Sequence, residues 1–508
     1  MKRLLSILLC VSLLLAFVSC GDSKDTQSTD GVSSATSSDS NEVSENGTSS
    51  EESADNNNGE SFDENGKYIP KNFEFPKIMK LTQWDLSENI LLTSSGSAQP
   101  EKSFTIKART IMQNIKNGGY NTVLLQIRPF ADSFYTSEYY PLSSFVTGSY
   151  ANQSVKYDAV KIFIDEAHKA GLSIHGWINP MRCMTNKEIE NVTGNWAITD
   201  WYSHMGDESQ YGEYMFAGTD AGGTARLYLN PAYEEVRSLI INGVDEILNK
   251  YNVDGIFMDD YFYPEEVKYK TELDAKAYAN RTDGSTTVHE FRCNSVNTLI
   301  KGIYSKVKEH GADYIYGISP NGHISHAYNT ECADIYTWCS EEGYCDIMYP
   351  QFYYGMIHGQ VSISVLMKEW NSALTNKNIK LVPILTLHKA GLEDQWAVTS
   401  YGKEEWTKYS DVVLESMTYL LLNEYRPING IGFFCYAYFY GGKTTDAVEK
   451  EIAAFTPIWA SYETMIGKNR SELVDIYSAL GLDLKKLGAE WDDRLEVTAM
   501  FDPLFNIG

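Results

Sequence analysis

From residue 76 onward, short runs of β-forming residues alternate with longer segments whose apolar residues recur at helical spacing. Eight runs are predicted to be strands: residues 78–84, 122–127, 173–178, 255–258, 314–318, 346–349, 381–386 and 430–435. Strands that alternate with helices are typical of α/β proteins with a parallel sheet. Eight such units favour a (β/α)8 TIM-type barrel, in which the sheet closes on itself.

The intervening segments have the pattern of amphipathic helices. They are residues 104–117, 158–169, 233–250, 290–309, 361–374, 411–423 and 445–454. In the second of them, Val160, Phe163, Ile164 and Ala167 form an apolar face at helical spacing. A doubly wound open sheet is the alternative, and it is disfavoured because no glycine-rich phosphate loop follows the first strand.

The predicted barrel covers residues 67–456, which is longer than the roughly 250 residues typical of this fold. The excess is expected in loops, and the two largest, residues 180–232 and 261–289, follow the C-terminal ends of strands. That face of a barrel carries catalytic residues. Residues 457–508 are predicted to be a short helical appendage, with 470–487 as its clearest helix.

The first 20 residues have the pattern of a secretory signal peptide. Two basic residues precede an apolar run from Leu4 to Val18, too short to span a bilayer. Ser19 and Cys20 then resemble a bacterial lipobox, although Phe17 stands where that motif prefers Leu. We therefore expect a lipid anchor on Cys20 and a position in the bacterial cell envelope, on the outer side of the cytoplasmic membrane. A plain signal peptide with an incidental cysteine is the alternative.

Residues 21–66 contain twelve acidic residues, one lysine and hardly any apolar side chain. Such a composition cannot bury enough surface to offset the entropy of ordering, so it predicts a disordered tether. The whole chain is also acidic, with 42 Lys and Arg against 68 Asp and Glu and a net charge of −26. Nucleic-acid-binding domains are usually basic, so nucleic acid is disfavoured as a partner.

Neither the cysteines nor the histidines show the spacing of a metal centre. Cys332, Cys339 and Cys345 match no zinc pattern, and no HExxH motif occurs. Metal catalysis is therefore not expected, and the sequence indicates no cofactor. The six cysteines that follow Cys20 are interpreted as buried free thiols, although an exported protein could also form disulfides.

The fourth predicted strand ends in two adjacent carboxylates, Asp259 and Asp260, followed by Tyr261 and further aromatic residues. Because the chain turns at the strand end, both side chains can reach one pocket at the barrel mouth. Two close acids cannot both ionise cheaply, so one becomes a proton donor at neutral pH. The alternative is that one caps the next segment and the other faces solvent.

Polar and aromatic residues also follow the other strands of this face. As candidate substrate contacts we identify Arg128, Asp132, His175, Trp177, Asn179, Arg182, Tyr261, Asn321, Gln351 and Tyr353. Trp177, Trp196, Trp201 and Tyr261 are candidates for stacking on sugar rings. Two of these assignments have plain structural alternatives, because Arg128 could pair with Asp132 and His175 could be a core histidine.

Five stretches of the chain, residues 126–135, 167–182, 251–264, 317–322 and 349–354, resemble bacterial glycosyl-hydrolase-like family 10 proteins. The resemblance implies a TIM-type barrel and glycoside hydrolysis, with peptidoglycan-type glycan strands as the favoured substrate. The chain departs from the family pattern at residues 79–84 and at 141–143, where Leu142 replaces a usual Trp.

By analogy with family 20 and family 84 hexosaminidases, Asp260 is interpreted as the general acid/base. Asp259 would then orient the 2-acetamido group of the substrate or the attacking water. No glutamate follows the seventh strand, which argues against an ordinary scheme with two separate carboxylates. Two other functions stay open: a carbohydrate-binding lipoprotein without activity, and a hydrolase of another extracellular polysaccharide.

Overall fold

The computed structural model describes residues 59–484, apart from 221 and 424, together with residue 487. The predicted signal peptide, Cys20 and the tether up to residue 58 lie outside the described residues. Residues 488–508 of the predicted appendage do so as well.

Eight parallel strands form a closed ring, which confirms the predicted barrel. They are β1 (Lys77–Leu81), β2 (Thr122–Arg128), β3 (Ser173–Ile178), β4 (Gly255–Asp259), β5 (Ile315–Ser319), β6 (Ile347–Met348), β7 (Lys380–Leu381 and Ile384–Thr386) and β8 (Ile431–Phe434). Each strand pairs in parallel with the next, and β8 pairs with β1. The carboxyl ends of all eight strands therefore lie at one end of the barrel.

Strand β7 closes the ring although a proline interrupts it. Its first part, Lys380–Leu381, pairs with β6, and its second part, Ile384–Thr386, pairs with β8. Pro383 lies between the two parts and has no N–H to donate. Its carbonyl still accepts a hydrogen bond of 3.0 Å from the backbone N–H of Gly432 in β8. Pro383 therefore removes one backbone N–H donor from the sheet, and the barrel stays closed.

Helices follow the strands around the outside. The longer ones are Glu101–Asn117, Ala159–Lys169, Glu234–Lys250, Val288–His310, Ile324–Glu331, Ile335–Ser340, Ile363–Ala373, Ser400–Lys408, Val412–Leu422 and Asp446–Trp459. Helix Glu101–Asn117 is representative, because it buries Phe104, Ala108, Ile111 and Ile115 along one face. All seven predicted helical segments are confirmed. The pair between β5 and β6 and the helix Ser400–Lys408 were not predicted.

The two long loops at the carboxyl ends of β3 and β4 contain small elements of their own. In the first loop, Met215–Thr219 and Ala225–Leu229 form an antiparallel hairpin, and Asn186–Ile189 and Ala197–Ser203 are short helices. The second loop contains the short helical turns Glu265–Val267, Thr271–Asp274 and Ala275–Ala279. Further short helices are Gln83–Leu86, Ser87–Leu91, Ser144–Thr147 and Tyr436–Tyr440.

The inside of the barrel is filled by side chains from the strands and the residues that directly follow them. These residues are Ile78, Leu124, Trp177, Phe257, Ile347, Tyr349, Val382 and Ile384. They form a cluster separate from the larger core between strands and helices. The interior is thus a packed floor, and the site lies above it at the carboxyl ends of the strands.

Asp254 holds the amino end of the barrel together. It directly precedes β4, and its carboxylate accepts hydrogen bonds from the Tyr68 hydroxyl (2.5 Å) and from the backbone N–H groups of Lys71 (2.6 Å) and Ile174 (2.7 Å). Its Oδ2 also lies 3.1 Å from Nε2 of His168. The segment that leads into β1 is therefore fixed at the end of the barrel remote from the loops.

Two predicted domain boundaries fall inside ordered elements. Ser61–Phe62, at the end of the predicted tether, pairs with Tyr68–Ile69 in an antiparallel hairpin. Helix Asp446–Trp459 runs across the predicted boundary at residue 456. Beyond it, the helices Tyr462–Met465 and Arg470–Ala479 follow. No helix in the described part of the chain is long and apolar enough to cross a membrane.

Candidate active site

Asp259 is the last residue of β4, and its carboxylate is fixed from two sides. Nε2 of Gln351 donates a hydrogen bond of 3.0 Å to Oδ1, and Nζ of Lys80 lies 3.5 Å from the same oxygen. Gln351 follows β6 and is itself anchored, because its Nε2 also donates to the carbonyl of Ser319 (3.2 Å). Three strands thus bring an amide, an ammonium and a carboxylate together at the barrel mouth.

Lys80 is enclosed by aromatic rings and was not predicted as a site residue. Its Nζ lies 4.2 Å from the ring centre of Trp177, 4.9 Å from that of Phe257 and 5.6 Å from that of Phe434. The residue is 1% exposed, so its charge is balanced by Asp259 and by the faces of these rings. The sequence could have identified Lys80 as an interior residue, because it lies two residues after Ile78 on the same face of β1.

Asp260 follows β4 and is partly exposed at the mouth. Burial and the neighbouring charge of Asp259 raise its pKa to about 7, and Lys80 and Gln351 oppose the rise. A carboxyl group with this pKa can hold a proton near neutral pH and give it up in a reaction. The structure therefore brings the two predicted acids together, with one fixed by partners and the other available to a substrate.

Glu331 is a third carboxyl group near the acids, and it was not predicted. Burial and the charge of Asp260 raise its pKa well above the ordinary range. Its Oε1 lies 3.4 Å from Nδ2 of Asn321 and 3.8 Å from Nε2 of His326, whereas its buried Oε2 has no hydrogen-bond partner among the described residues. Glu331 ends the helix after β5, away from a strand end, so the strand-end pattern could not identify it.

Tyr353 and Tyr261 lie beside the acids, and Arg182 packs on the ring of Tyr261. The buried hydroxyl of Tyr353 has no hydrogen-bond partner in the described part of the chain, and the charges of Asp259 and Asp260 add to burial in raising its pKa. The guanidinium of Arg182 lies 4.0 Å from the ring centre of Tyr261. The same guanidinium donates a hydrogen bond of 2.6 Å to Asp220, so it positions Tyr261 beside the site.

Arg128 lies outside the mouth, and its assignment as a substrate contact is corrected. A register shift between Gln126 and Arg128 turns the end of β2 away from the barrel interior. The guanidinium packs 4.5 Å from the ring centre of Tyr140, against the helix Glu234–Lys250. A Cβ on Gly243 of that helix would lie 2.0 Å from Nη1 of Arg128, so the glycine leaves the space that the guanidinium occupies.

Asp132, Asn179 and Trp177 are buried, and their polar groups form hydrogen bonds within the protein. Asp132 accepts hydrogen bonds of 2.9 Å from the Phe130 N–H and from the Tyr150 hydroxyl. Asn179 accepts one from Nε1 of Trp177 (3.0 Å) and donates one to a backbone carbonyl. Trp177 is 2% exposed and forms the floor beneath Lys80 rather than a sugar platform.

His175 lies in the amino-terminal half of β3, opposite Gly255 at the beginning of β4. Its Nε2 is 2.9 Å from Oδ1 of Asn72, a residue of the segment before β1. Burial lowers the pKa of His175 to about 4, so the ring is neutral. His175 is therefore a core histidine, as the structural alternative proposed, because its position in β3 lies below the barrel mouth.

The other two stacking candidates lie in the loop after β3. Trp201 is buried, with its ring centre 5.3 Å from that of Tyr214. Nε1 of Trp196 donates a hydrogen bond of 3.0 Å to the carbonyl of Thr193. Within the described residues, neither forms a hydrogen bond or ion pair with the acids. The charges of Asp259 and Asp260 add to burial in raising the pKa of Tyr261, so Tyr261 is the stacking candidate beside the acids.

One group of side chains in the described part of the chain has the atoms for a metal ion. His289, Cys293 and Cys332 each offer one ligand atom, and these atoms lie within 4.8 Å of one another. All six cysteines after Cys20 are free and buried. Spacing along the sequence does not reveal this group, because Cys332 is distant in sequence from the other two residues.

Residues 91–397 match the family model described as Glycosyl hydrolase-like 10. Among curated proteins, the chain is 28% identical over 305 residues to Glycosyl hydrolase YngK of Bacillus subtilis (strain 168). This match covers 56% of the chain and 55% of YngK. The chain is also 26% identical over 325 residues to Glycosyl hydrolase DigH of Escherichia coli (strain K12), which covers 59% of the chain and 70% of DigH.

Among solved structures, the chain is similar to the PgaB (BpsB) glycoside hydrolase domain from Bordetella bronchiseptica. The TM-score is 0.44 at 10% sequence identity, over 77% of this chain and 98% of that domain.

Proposed function

Because the chain belongs to the glycosyl hydrolase-like 10 family, we propose that it is a glycoside hydrolase that cleaves an amino-sugar polysaccharide. Peptidoglycan-type glycan strands are the proposed substrate. The proposal depends most on one observation: Asp259 is held by Lys80 and Gln351 directly beside Asp260, which is partly exposed and has a raised pKa. The names of the two curated relatives support the same reaction class.

In the proposed reaction, Asp260 donates its proton to the glycosidic oxygen while the bond from that oxygen to the anomeric carbon breaks. Asp259 orients the 2-acetamido group, whose carbonyl oxygen forms the new bond to the anomeric carbon. Water then attacks this carbon, gives its proton to Asp260 and restores the acetamido group. An alternative route in the same site has Asp259 orient the attacking water directly.

The neighbours of Asp259 explain how the two acids divide these tasks. The ammonium of Lys80 and the amide of Gln351 both contact Oδ1 of Asp259 and hold this carboxylate in position to orient a substrate group. Asp260 forms no ion pair with the described residues, and its raised pKa of about 7 allows it to hold the proton. The Tyr353 hydroxyl, which has no partner within the described residues, can bind a substrate oxygen beside them.

The test is digestion of peptide-free glycan strands by the purified full chain, with the products identified by mass spectrometry. We expect shortened oligosaccharides from the wild type and from Glu342→Gln, which changes an exposed carboxylate away from the acids. Asp260→Asn should lose about a hundredfold to ten-thousandfold in rate while still binding the glycan. Full activity in that variant would contradict the assignment of Asp260.

Two further outcomes separate the alternatives. Retention of the glycan by wild type and Asp260→Asn without any cleavage would favour a binding protein over an enzyme.

A comparison of Glu331→Gln with Asp260→Asn tests whether Glu331 is a further carboxyl group of the reaction. A loss of similar size in both variants would place Glu331 in the reaction, and an unaffected Glu331→Gln would exclude it.

We also propose that Cys20 carries a lipid that anchors the protein to the outer side of the cytoplasmic membrane. The signal-like segment and the small residue before Cys20 support this proposal. Metabolic labelling with an alkyne fatty acid should label the wild type and leave Cys20→Ala unlabelled, with the variant recovered in the soluble fraction. Labelling of Cys20→Ala at the wild-type level would contradict the proposal.

A further inference from the structure

We propose that His289, Cys293 and Cys332 bind one thiophilic metal ion of the Zn²⁺ or Cu⁺ type. Two sulfur atoms and one imidazole nitrogen are the ligands that such soft or borderline cations prefer. The site is separate from the two acids and does not depend on the proposed hydrolase activity.

The distances between the ligand atoms are close to those of a metal site. Sγ of Cys293 lies 3.9 Å from Nδ1 and 3.8 Å from Nε2 of His289. In a tetrahedral zinc site, bonds of about 2.3 Å to sulfur and about 2.0 Å to nitrogen place these atoms about 3.6 Å apart. All three ligand atoms lie within 4.8 Å of one another. Small side-chain movements would therefore complete the geometry.

A hydrogen bond to the backbone fixes which ring nitrogen of His289 is free to bind a metal. Its Nε2 lies 2.7 Å from the backbone carbonyl of Tyr328, to which it can only donate a hydrogen bond. This bond places the proton on Nε2 and leaves the lone pair on Nδ1, which lies 3.9 Å from Sγ of Cys293. Metal-binding histidines commonly donate their second N–H to a carbonyl in this way.

The local fold brings the three residues together from two elements. His289 and Cys293 are four residues apart on the helix Val288–His310, so they lie on the same face. Cys332 follows the helix Ile324–Glu331 with a φ of 55°, in the left-handed region that disfavours a side chain. This conformation turns the chain so that the thiol of Cys332 is buried beside Cys293.

The charges also fit a buried metal ion. Two thiolates balance the charge of Zn²⁺, so the site loaded with zinc is neutral, which reduces the cost of burial. The neighbouring cation Arg292 is already paired with Asp274 at 2.8 Å and does not compete for the thiolates. Binding releases one proton from each thiol to solvent and requires no oxidant. A disulfide between Cys293 and Cys332 would instead require a two-electron oxidant.

The test uses the purified full chain, reduced and free of oxygen, titrated with Co²⁺ and then with Zn²⁺. We expect one Co²⁺ per chain, with the thiolate charge-transfer band and visible bands of tetrahedral cobalt, and displacement by Zn²⁺. Cys332→Ser and His289→Gln should each weaken binding at least tenfold. The matched control Cys183→Ser removes a buried thiol elsewhere and should bind as the wild type does.

His289→Gln keeps both thiols and changes a half-buried residue, so it tests the site even if a cysteine variant fails to fold. Circular dichroism of each variant checks the fold. Unchanged Co²⁺ binding in folded His289→Gln and Cys332→Ser would overturn the proposal. A Cys293–Cys332 disulfide found by mass spectrometry in protein purified without reductant would also overturn it. Competition with a Cu⁺ chelator then identifies which of the two cations binds more tightly.

Discussion

Lys80 sets the balance of charge between the two acids, because its ammonium lies 3.5 Å from Asp259 in a ring of aromatic side chains. The same charge lowers the pKa of Asp260 against the effects of burial and Asp259. Lys80 on β1 therefore influences how readily Asp260, which follows β4, holds its proton. This influence can be measured by removing the charge.

Lys80→Met should raise the pKa of Asp260 above about 7, because the ammonium that favours the ionised form is lost. If Asp260 acts as the acid, activity falls as pH rises through its pKa. The alkaline limb of kcat/KM should therefore move to higher pH in the residual activity. The measurement is a pH profile with a chromogenic or labelled glycan.

Lys77→Met is the matched control for this experiment. Lys77 is a second buried lysine on β1, but its Nζ donates a hydrogen bond of 2.7 Å to the Trp459 carbonyl at the amino end. Its loss should reduce stability without moving the alkaline limb. A limb that stays in place in active Lys80→Met would show that Lys80 does not control the proton of Asp260.

Asp260→Asn should stabilise the folded protein above pH 7. The pKa of Asp260 is raised from 3.8 to about 7, so the stability that its proton contributes is complete below about pH 4 and lost as pH rises through 7. Asparagine does not ionise and avoids this loss. Urea unfolding at pH 8 should show a gain of about 1–3 kcal/mol over wild type, reduced because the side chain is partly exposed. The gain should disappear at pH 4, and a gain equal at both pH values would contradict the ionisation argument.

At the residue scale, the sequence predicted the two acids, Asp259 and Asp260, but not the neighbouring charged groups Lys80 and Glu331. Asp259, Asp260 and Gln351 follow strands that were predicted correctly, so the barrel geometry brings them together. Arg128 was misassigned because a register shift reverses its direction, which no periodic pattern reveals. Glu331 was missed because a helix, rather than a strand end, places it in the site.

At the scale of elements, all eight strands and the seven predicted helices are present, because each has a strong apolar period. The irregular parts were not predictable in the same way. Pro383 splits β7 without opening the barrel, since its carbonyl still accepts a hydrogen bond from β8. The hairpin formed by Met215–Thr219 and Ala225–Leu229 is held by long-range contacts of the loop that a local pattern does not contain.

Gly243→Ala should destabilise the protein by about 1–3 kcal/mol, because overpacking forces neighbours to move. The added Cβ would lie 2.0 Å from Nη1 of Arg128 and 2.6 Å from Cε2 of Tyr140, both of which are buried. Thermal or urea unfolding measures the change. An unchanged free energy of unfolding would show that the guanidinium can move away at little cost.

Gly302→Ala is the control, because Gly302 also lies within a helix but its added Cβ would meet the flexible end of Ile241. There the better helix propensity of alanine should offset the contact, so stability should change by less than about 1 kcal/mol. The pair of variants separates the cost of the Arg128 contact from the general effect of replacing a helical glycine.

At the scale of the whole molecule, Asp254 joins the segment before β1 to β3 and β4. It is fully buried and accepts four hydrogen bonds or close contacts, from Tyr68, Lys71, Ile174 and His168. Asp254→Ala leaves the buried donors of Tyr68, Ile174 and His168 without this acceptor and should lower the free energy of unfolding by about 3–5 kcal/mol. Urea unfolding tests this, and the exposed Asp475→Ala should change stability by less than about 0.5 kcal/mol.

The Asp254 network also determines which side of the molecule remains free when the protein is attached to a support. The described chain enters at the amino end of the barrel, whereas Asp259 and Asp260 lie at the carboxyl ends of the strands. A support coupled to the amino-terminal side therefore contacts the end opposite the acids. Protein immobilised in this orientation should process a soluble glycan about as fast as free protein, and coupling through the loops after β3 and β4 should block it.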